Sequence, residues 1–256
     1  MSAARVIVTR PVREAARWVD DLRAAGLDAV ALPLIAIEPL EDPKALHAAW
    51  QRLADYHALM FVSAASAEHF FRGIDAAAVA SSRCWGTGPG TTRGLREAGV
   101  PMSAIDAPTA DAPQFDSEAL WALVRPQVRP GTRVLIVRGG DASGRVAGRD
   151  WLAREIAAAG GACDEVAAYR RLAPTFGQAE HRLATDAAAG GAVWLFSSSE
   201  AIANLCRSMP GTRWNSARAV VTHERIADAA HAAGFGSVRV SSPSLMALVA
   251  SIESFV

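Results

Sequence analysis

Six turns that follow predicted strands have a composition that suits anion binding. Hydroxyl residues, glycines and arginines fill them, and these residues offer N–H, O–H and guanidinium donors to carboxylates or phosphates. In open parallel sheets, ligands bind beyond the carboxyl ends of the strands, where helix N-termini present unpaired N–H groups. The sequence therefore predicts that a small polyanion binds at residues 9–11, 63–66, 86–91, 138–140, 197–200 and 222–225.

Several of these residues also have a purely structural explanation. Ser63 could simply cap the helix that follows it, and Ser197 with Glu200 has the spacing of a helix capping box. Arg10 and Arg138 could be solvated surface arginines, yet each ends a strand at an equivalent place in an internal repeat. The structural and functional explanations both stay open from the residues alone.

Tyr169 and His223 are the candidates for moving a proton. Tyr169 lies in an extended connector, where its phenol could give a proton to a leaving oxygen or could pack as an amphipathic residue. His223 follows a strand and could touch a ligand, although a surface position at a helix start is expected. The other five of the six histidines are expected on the surface or on helix faces.

Nucleotide, metal and disulfide chemistry find little support in the sequence. Thr91 stands where a dinucleotide fingerprint has its third glycine, and there is no phosphate-loop, zinc-protease or nucleophile-elbow motif. The histidines lack metal-ligand spacing, and the three separated cysteines form no CxxC motif. The sequence therefore predicts neither a cofactor nor a metal.

Charge and hydropathy argue against nucleic acid and membranes. Lys+Arg and Asp+Glu balance at 26 each, so the protein has no summed basic field. No apolar run reaches a membrane span of about 18 residues, and the apolar run within residues 1–9 is too short for a secretion signal. We expect a cytoplasmic protein that binds neither nucleic acid nor a membrane.

Short apolar runs alternate with helical Ala/Leu/Arg stretches, which is typical of parallel strands connected by helices. An internal repeat supports this reading, because LMFVS at 59–63 matches WLFSS at 194–198, and the same offset of 135 carries Gly99 onto Gly234. Residues 6–10 match 134–138 at an offset of 128, with extra residues in 139–148 that suit a loop insertion. The strands are predicted at 5–8, 59–62, 134–137, 194–196 and 219–221.

Two arrangements fit this pattern. Segments 32–39 and 167–174 look like extended, proline-bounded connectors at equivalent places in the repeat. If both are crossovers, the first βαβ unit packs with the last third of the chain, and the middle forms an inserted domain. A tandem arrangement would instead divide the chain near 126–130. Periodicity does not choose between the two.

The motifs together resemble the uroporphyrinogen-III synthase family over nearly the whole chain. Each motif alone is weak, whereas their order and spacing are specific. They are VTRP (8–11), LPLIAIEP (32–39), FVS (61–63), GPGT (88–91), VLIVRG (134–139), YRR (169–171), FSSSE (196–200) and VTHERIA (221–227).

The resemblance implies an α/β fold with two flavodoxin-like (Rossmann-like) parallel-sheet domains joined by a two-stranded linker. The first domain would be discontinuous, 1–34 with 172–256, and the second, 39–167, would be inserted into it. The linker strands would be 35–38 and 168–171. The resemblance thus favours the crossover arrangement.

The resemblance also implies a reaction in tetrapyrrole biosynthesis. Hydroxymethylbilane would lose its terminal hydroxyl, ring D would be inverted through a spiro intermediate, and water would leave as the ring closes to uroporphyrinogen III. No cofactor is implied. The expected partners are the polycarboxylate substrate, bound in a cleft between the domains, and hydroxymethylbilane synthase as its supplier, with the protein acting as a monomer.

Site residues follow from the resemblance motif by motif. Tyr169 would assist departure of the hydroxyl. Turn residues would bind substrate largely through backbone N–H groups, and arginines would pair with its acetate or propionate groups. The implied binding set is Arg10, Ser63, Thr91, Arg138, Arg149, Ser198, Ser199, Thr222 and Arg225. Arg149 is preferred to Arg145 because residues 148–152 continue like the family's helix, whereas Ala65 and Ser66 depart from the family's usual Asn-Ala pair.

Two other classes of protein remain as alternatives. One is a cytoplasmic two-domain protein that binds or senses a small anion without catalysis. The other is a transferase with a nucleotide donor, which the degenerate glycine turn at 86–91 disfavours.

Overall fold

The computed structural model describes residues 5–255; residues 1–4 and 256, where the predicted first domain begins and ends, lie outside the described residues. The strands are β1 (Arg5–Val8), β2 (Ala29–Ala31), β3 (Ala36–Glu38), β4 (Ala58–Phe61), β5 (Arg83–Gly86), β6 (Ile105–Asp106), β7 (Arg133–Gly140), β8 (Ala162–Leu172), β9 (Ala192–Phe196), β10 (Arg218–Val221) and β11 (Ser237–Val240). The helices are α1 (Val12–Ala24), α2 (Lys44–Trp50), α3 (Ala64–Phe70), α4 (Pro89–Glu97), α5 (Ser117–Val124), α6 (Trp151–Ala158), α7 (Gln178–Asp186), α8 (Ser199–Ser208), α9 (Glu224–Ala232) and α10 (Leu245–Glu253).

Two sheets organise the described residues, and the predicted α/β class with parallel sheets is confirmed. The first sheet has the order β2-β1-β9-β10-β11, and the second has the order β8-β7-β4-β5-β6 with β3 beyond β8. The pairs from β1 to β2 and β9, and from β7 to β4 and β8, are parallel. The first sheet has the flavodoxin order, in which the second strand lies outside the first. The second sheet has the same order only after circular permutation, with β7 and β8 in the places of the first and second strands.

The same order explains the sequence repeat. In the second sheet β7 takes the place that β1 has in the first, and β4 takes the place of β9. These are the segments that match in sequence. The repeated glycines also correspond, because Gly99 and Gly234 both follow a helix with positive φ angles of 94° and 92°. A glycine accommodates this backbone without the strain that a Cβ would bring.

The chain divides into two compact units. Unit 1 comprises Met1–Ala36 and Leu172–Val256, and unit 2 comprises Ile37–Arg171. The first βαβ segment lies in the same sheet as the last third of the chain, as the crossover arrangement requires, because β1 pairs with β9. The strands β3 and β8 are neighbours, and the chain passes between the units within them.

The central strands of unit 2 are buried on both faces. In β4, Leu59 and Phe61 belong to one apolar cluster, whereas Ala58 and Met60 belong to another. Successive side chains of a strand point to opposite faces, so helices must cover both sides of this sheet. The carboxyl end of β4 is therefore held in place by packing on both faces of the sheet.

The loop insertion predicted at 139–148 begins two residues later than expected, at Asp141. Gly139 and Gly140 belong to β7, and Gly140 forms an isolated antiparallel bridge with Val146. The turn between them is stabilised by Asp141, whose Oδ1 accepts hydrogen bonds from the backbone N–H groups of Ser143 and Arg145 at 2.9 and 3.1 Å. Position 139 of this strand needs a glycine, because an added Cβ would lie 2.7 Å from the Tyr169 ring.

The described residues contain no helix that is both long enough and apolar enough to span a bilayer.

Candidate active site

Ser63 and Tyr169 meet at the carboxyl edge of the second sheet. Ser63 follows β4 and caps α3, where its Oγ accepts a hydrogen bond from the Ser66 backbone N–H at 3.1 Å. The Ser66 Oγ in turn accepts from the Ser63 N–H at 3.1 Å and donates to the Ser63 carbonyl at 2.7 Å. The Ser63 Oγ lies 3.2 Å from the Tyr169 Oη. The capping and functional explanations of Ser63 are therefore compatible.

A β-bulge in β8 directs Tyr169 toward this edge. Arg138 pairs with Ala167, but the next residue, Gly139, pairs with Tyr169, so Ala168 is the extra residue. Regular alternation would place Tyr169 on the face opposite Ala168, whereas both belong to the same apolar cluster. Bulges often redirect a side chain next to an active site.

The Tyr169 ring occupies a tight space. It is only 4% exposed, and a Cβ added to Gly139 would lie 2.7 Å from its Cε2. The His69 ring centroid lies 5.4 Å from that of Tyr169. His69, which was expected on the surface or on a helix face, lies on α3 and is 7% exposed. Burial, with a smaller contribution from Arg72, lowers the pKa of the His69 imidazole.

Thr91 lies one strand away from Ser63. It is buried in the first turn of α4, and its Oγ1 lies 3.2 Å from the Thr87 Oγ1. The Thr87 Oγ1 also donates to the carbonyl of Val62 at 3.2 Å, which joins the turn after β5 to the turn after β4. The side chain of Thr91 therefore contacts the protein's own hydroxyl network.

Arg138 and Arg149 are connected to each other. Arg138 is 8% exposed, pairs through Nη1 with Glu165 at 3.3 Å, and donates from Nη2 to the carbonyl of Arg149 at 2.8 Å. Arg149 is exposed and forms a bidentate pair with Glu118, at 2.5 and 3.1 Å. This pair raises the pKa of the Arg149 guanidinium.

The predicted residues after β9 and β10 lie at the corresponding edge of the first sheet. The N-cap of α8 is Ser198 and not Ser197, because the Ser198 Oγ accepts from the Glu200 N–H at 3.2 Å. The Ser199 Oγ donates to the carbonyl of Arg225 at 3.4 Å, which connects the two turns. The Arg225 side chain is exposed at the start of α9 and forms no ion pair with any residue in 5–255.

Thr222 and Ser63 do not offer their backbone N–H groups as predicted. The Thr222 N–H donates to the carbonyl of Phe196 at 3.2 Å, and the Ser63 N–H donates to Ser66. His223, the N-cap of α9, accepts from the Arg225 N–H through Nδ1 at 3.1 Å. Any ligand contact at these turns must therefore use side chains or other N–H groups.

Arg10 lies just beyond β1, the first strand of unit 1, and forms an ion pair with a nearby acidic residue. Its Nη1 lies 3.1 Å from the Glu14 Oε2 in an i,i+4 pair, and its guanidinium lies 4.8 Å from the centroid of the Trp18 ring. Burial lowers the pKa of Arg10, and Glu14 opposes this shift. Arg10, Arg138 and Arg149 thus each have an acidic partner within their own unit.

The predicted residues divide evenly between the units. Unit 1 contains Arg10, Ser198, Ser199, Thr222 and Arg225, and unit 2 contains Ser63, Thr91, Arg138, Arg149 and Tyr169. In the described part of the chain, no group of three or more His, Cys, Asp or Glu residues is arranged to hold a metal ion. The groups present at these edges are hydroxyls, guanidinium groups and a phenol.

The family model described as "Uroporphyrinogen-III synthase HemD" matches residues 16–250 of the chain. This chain belongs to the uroporphyrinogen-III synthase family. The match covers both units and every residue of the predicted site except Arg10.

Two curated proteins illustrate the relation to this synthase family. The "Uroporphyrinogen-III synthase" of Chlorobaculum parvum is 28% identical over 179 residues, covering 66% of this chain and 65% of that protein. The "Porphyrin biosynthesis protein HemD" of Ruminiclostridium josui is 27% identical over 101 residues, covering 38% of this chain and 20% of that protein. The matched regions thus span less than two thirds of either relative.

Solved structures of this synthase family share the fold. A mutant uroporphyrinogen III synthase from Thermus thermophilus aligns with a TM-score of 0.58 at 16% identity, covering 99% of each chain. The Helicobacter pylori enzyme aligns with a TM-score of 0.51 at 13% identity, covering 99% of this chain and all of that one. At this identity the likeness concerns the fold.

The sequence did not identify two residues as neighbours of Tyr169. His69 and Gly139 contact the Tyr169 ring; Gly139 was predicted only as part of the anion-binding turn at 138–140, and His69 was not a site candidate. The signal for Gly139 was the pair of glycines directly after the β7 apolar run, because glycine in a strand often marks close approach of another group. His69 lies on the same face of α3 as Ser66, three residues earlier, and no signal in the sequence identifies it as buried.

Proposed function

We propose that this protein is a uroporphyrinogen-III synthase, which converts hydroxymethylbilane to uroporphyrinogen III with inversion of ring D and loss of water. The family match over residues 16–250 supports the activity. The observation that supports the chemistry is the Tyr169 hydroxyl at the carboxyl edge of a parallel sheet, 3.2 Å from Ser63. Ligands bind at this edge in such sheets.

In the first chemical step, a proton is transferred to the leaving oxygen. The phenol of Tyr169 gives its proton to the terminal hydroxyl of hydroxymethylbilane, and the C–O bond breaks with both electrons on oxygen. Water, a phenolate and an azafulvenium cation result. General acid catalysis of this kind contributes typically 10²–10⁴-fold to a rate. The protein must then hold ring D in the orientation in which its substituted carbon attacks.

In this proposal, arginines of the predicted set bind the substrate's carboxylates. Arg225 has no acidic partner within residues 5–255, so it offers its guanidinium directly. Arg10 and Arg149 would exchange their own partners, Glu14 and Glu118, for substrate carboxylates. Exchange costs little for the exposed Arg149 pair, because exposed ion pairs contribute only about 0–1 kcal/mol. The hydroxyls of Ser63, Thr91, Ser198, Ser199 and Thr222 complete the proposed set.

Arg138 has a different role in this proposal. Arg138 is buried, with 8% of its surface exposed. Its guanidinium already binds both Glu165 and the carbonyl of Arg149. We propose that it holds the segment that carries Arg149, while Arg149 meets the substrate. Arg145, the alternative second basic residue, is exposed in the preceding turn.

The deciding experiment gives freshly prepared hydroxymethylbilane to the purified protein and separates the isomeric products. Spontaneous closure without ring inversion yields the type I isomer, so formation of type III above this background demonstrates the activity. An unchanged isomer ratio would reject the proposal. It would favour instead a protein that binds a small anion without catalysis, an alternative that the family match does not favour.

Tyr169→Phe tests the acid within this assay, and Tyr56→Phe is the matched control. Both tyrosines are 4% exposed, but the Tyr56 hydroxyl donates to Asp164 at 2.7 Å instead of contacting Ser63. We expect Tyr169→Phe to lower kcat on the order of 10²-fold with little change in KM, because only the transition state uses the proton. Full activity of Tyr169→Phe would remove this phenol from the mechanism.

The remaining features of the proposal concern organisation and context. We propose that the two compact units correspond to the predicted domains, with β3 and part of β8 as the linker strands. A monomeric state, a cytoplasmic location and direct supply of substrate by hydroxymethylbilane synthase stay predictions. Size-exclusion chromatography with light scattering measures the first of these.

A further inference from the structure

The hydrogen bond between Ser63 and Tyr169 has two possible directions, and they differ in what the phenol can do. If Tyr169 donates to Ser63, the phenolic proton is occupied within the protein. If Ser63 donates to Tyr169, this hydrogen bond does not use the phenolic proton. Their 3.2 Å separation is compatible with both directions.

The surroundings of Ser63 favour the second direction. Its Oγ already accepts a hydrogen bond from the Ser66 N–H at 3.1 Å. A hydroxyl has one proton to donate. No other acceptor for the Ser63 hydroxyl is found among the described residues, and donation to the Tyr169 Oη satisfies this partly buried group.

The position of Ser63 is fixed independently of Tyr169. The Ser66 side chain binds the Ser63 N–H and carbonyl, and the Ser63 Oγ caps α3. The ring of Tyr169 is fixed by the bulge at Ala168 and by its contact with Gly139. A hydrogen bond between two fixed groups costs little ordering entropy when it forms.

We propose that Ser63 is a positioning residue that donates its hydroxyl proton to the Tyr169 oxygen, and thereby directs the phenolic proton to the leaving hydroxyl of the substrate. This deepens the proposed function, on which it rests, and it gives Ser63 a role other than direct substrate binding. When the C–O bond breaks and water leaves, the phenolate that remains keeps the hydrogen bond from Ser63. Hydrogen bonds to charged groups are stronger than neutral ones, so the contact strengthens during this step.

Among the described residues, the neighbours of the Tyr169 ring include three from adjacent elements. From α3 and its cap they are Ser63 and the buried His69, and from β7 the neighbour is Gly139. Arg170, the next residue of β8, is paired with Glu38 and Glu41. Ser63 is the one of these three residues that has a hydroxyl group. Removing this hydroxyl therefore tests its hydrogen bond to the Tyr169 phenol.

The test is a spectroscopic titration that needs no substrate. The chain has two tyrosines, so in a Tyr56→Phe background the ultraviolet absorbance of phenolate reports on Tyr169 alone. Adding Ser63→Ala should make phenolate form at a pH higher by roughly one to two units, because a hydrogen bond to the charged form is lost. An unchanged titration, or one moved to lower pH, would mean that Tyr169 is the donor and would overturn the proposal.

Two matched variants separate this effect from loss of the helix cap. Ser66→Ala weakens the same capping box but keeps the Ser63 hydroxyl, so it should leave the titration unchanged. Ser63→Thr keeps a hydroxyl with the same capping ability and should restore the original titration. Failure of Ser63→Thr to restore it, with the fold intact, would contradict the donor role.

The activity assay then distinguishes the two proposals. For an active synthase, Ser63→Ala should lower kcat about 10- to 100-fold with KM nearly unchanged, and the alkaline limb of the pH–rate profile should move in the same direction as the titration. An inactive wild-type protein with a shifted titration would refute the function but keep the hydrogen-bond direction. A synthase whose Ser63→Ala variant keeps full kcat would refute the role of Ser63.

Discussion

Gly139→Ala is the sharpest single test of how Tyr169 is positioned. The added Cβ would lie 2.7 Å from the Tyr169 Cε2 and Cζ and 2.9 Å from its Oη. Carbon atoms in contact are separated by about 3.5–4.0 Å, so the ring must move by roughly 1 Å. The hydrogen bond to Ser63 at 3.2 Å would then be lost or badly stretched.

The expected costs follow from this displacement. Misplacing a reacting group by about 1 Å can lower a rate on the order of 10²-fold, or about 2.7 kcal/mol in the activation barrier. Overpacking a filled site typically costs about 1–3 kcal/mol of stability. We therefore expect a folded variant with a lower Tm and a kcat reduced much more than its substrate affinity.

The assay is the initial rate of type III formation over a range of hydroxymethylbilane concentrations, with thermal unfolding of the same samples. Gly191→Ala is the matched control, because the nearest heavy atom to its added Cβ lies at 3.9 Å. This control should keep both rate and Tm. A Gly139→Ala variant with unchanged kcat would refute the idea that the ring is held by this contact.

A double variant sharpens the interpretation. If Gly139→Ala acts through the phenol, it should cost little further activity once Tyr169→Phe has removed the hydroxyl. Residues that act as one unit are strongly non-additive in this way. Additive losses would show instead that Gly139 affects the substrate or the fold directly.

Three further predictions concern stability. Arg138→Ala should lower the free energy of unfolding by about 1–3 kcal/mol in urea titrations, because it leaves Glu165 without its partner; an unchanged midpoint would contradict this. Asp164→Asn should reduce the acid sensitivity of stability: the Tyr56 hydrogen bond holds the pKa of Asp164 below 3.8, so its contribution is present above that pH and is lost as pH falls through the folded value. His69→Phe should abolish a loss of stability below about pH 6.5, because burial lowers the pKa of His69 and only the unfolded chain binds the proton there; an unchanged pH dependence of unfolding would contradict either prediction.

The sequence alone predicted the central strands of the two sheets and the turns that follow them. Parallel strands covered on both faces are short continuous apolar runs, and this pattern depends on the local chain only. The repeat showed from the sequence that the segment of β7 is equivalent to that of β1, and that the segment of β4 is equivalent to that of β9. The strand order of the two sheets agrees with this equivalence. The predicted strand 5–8 has the bounds of β1.

The sequence also indicated the chemistry of the turns, but not the partners of their side chains. Glu14 lies one helical turn from Arg10, so that pair could be anticipated from spacing. The partners of Arg138 and Arg149 are Glu165 and Glu118, which lie 27 and 31 residues away. Such pairs form only when neighbouring strands and helices are in place.

The tertiary structure alone decided which way Tyr169 faces. By strand alternation the sequence would place it opposite Ala168, away from Ser63 and His69. The bulge at Ala168 reverses this, and Gly139 on the neighbouring strand provides the space for the ring. A bulge depends on the register between two strands that are distant along the chain, and register is set by packing of the whole sheet and not by the residues of one strand.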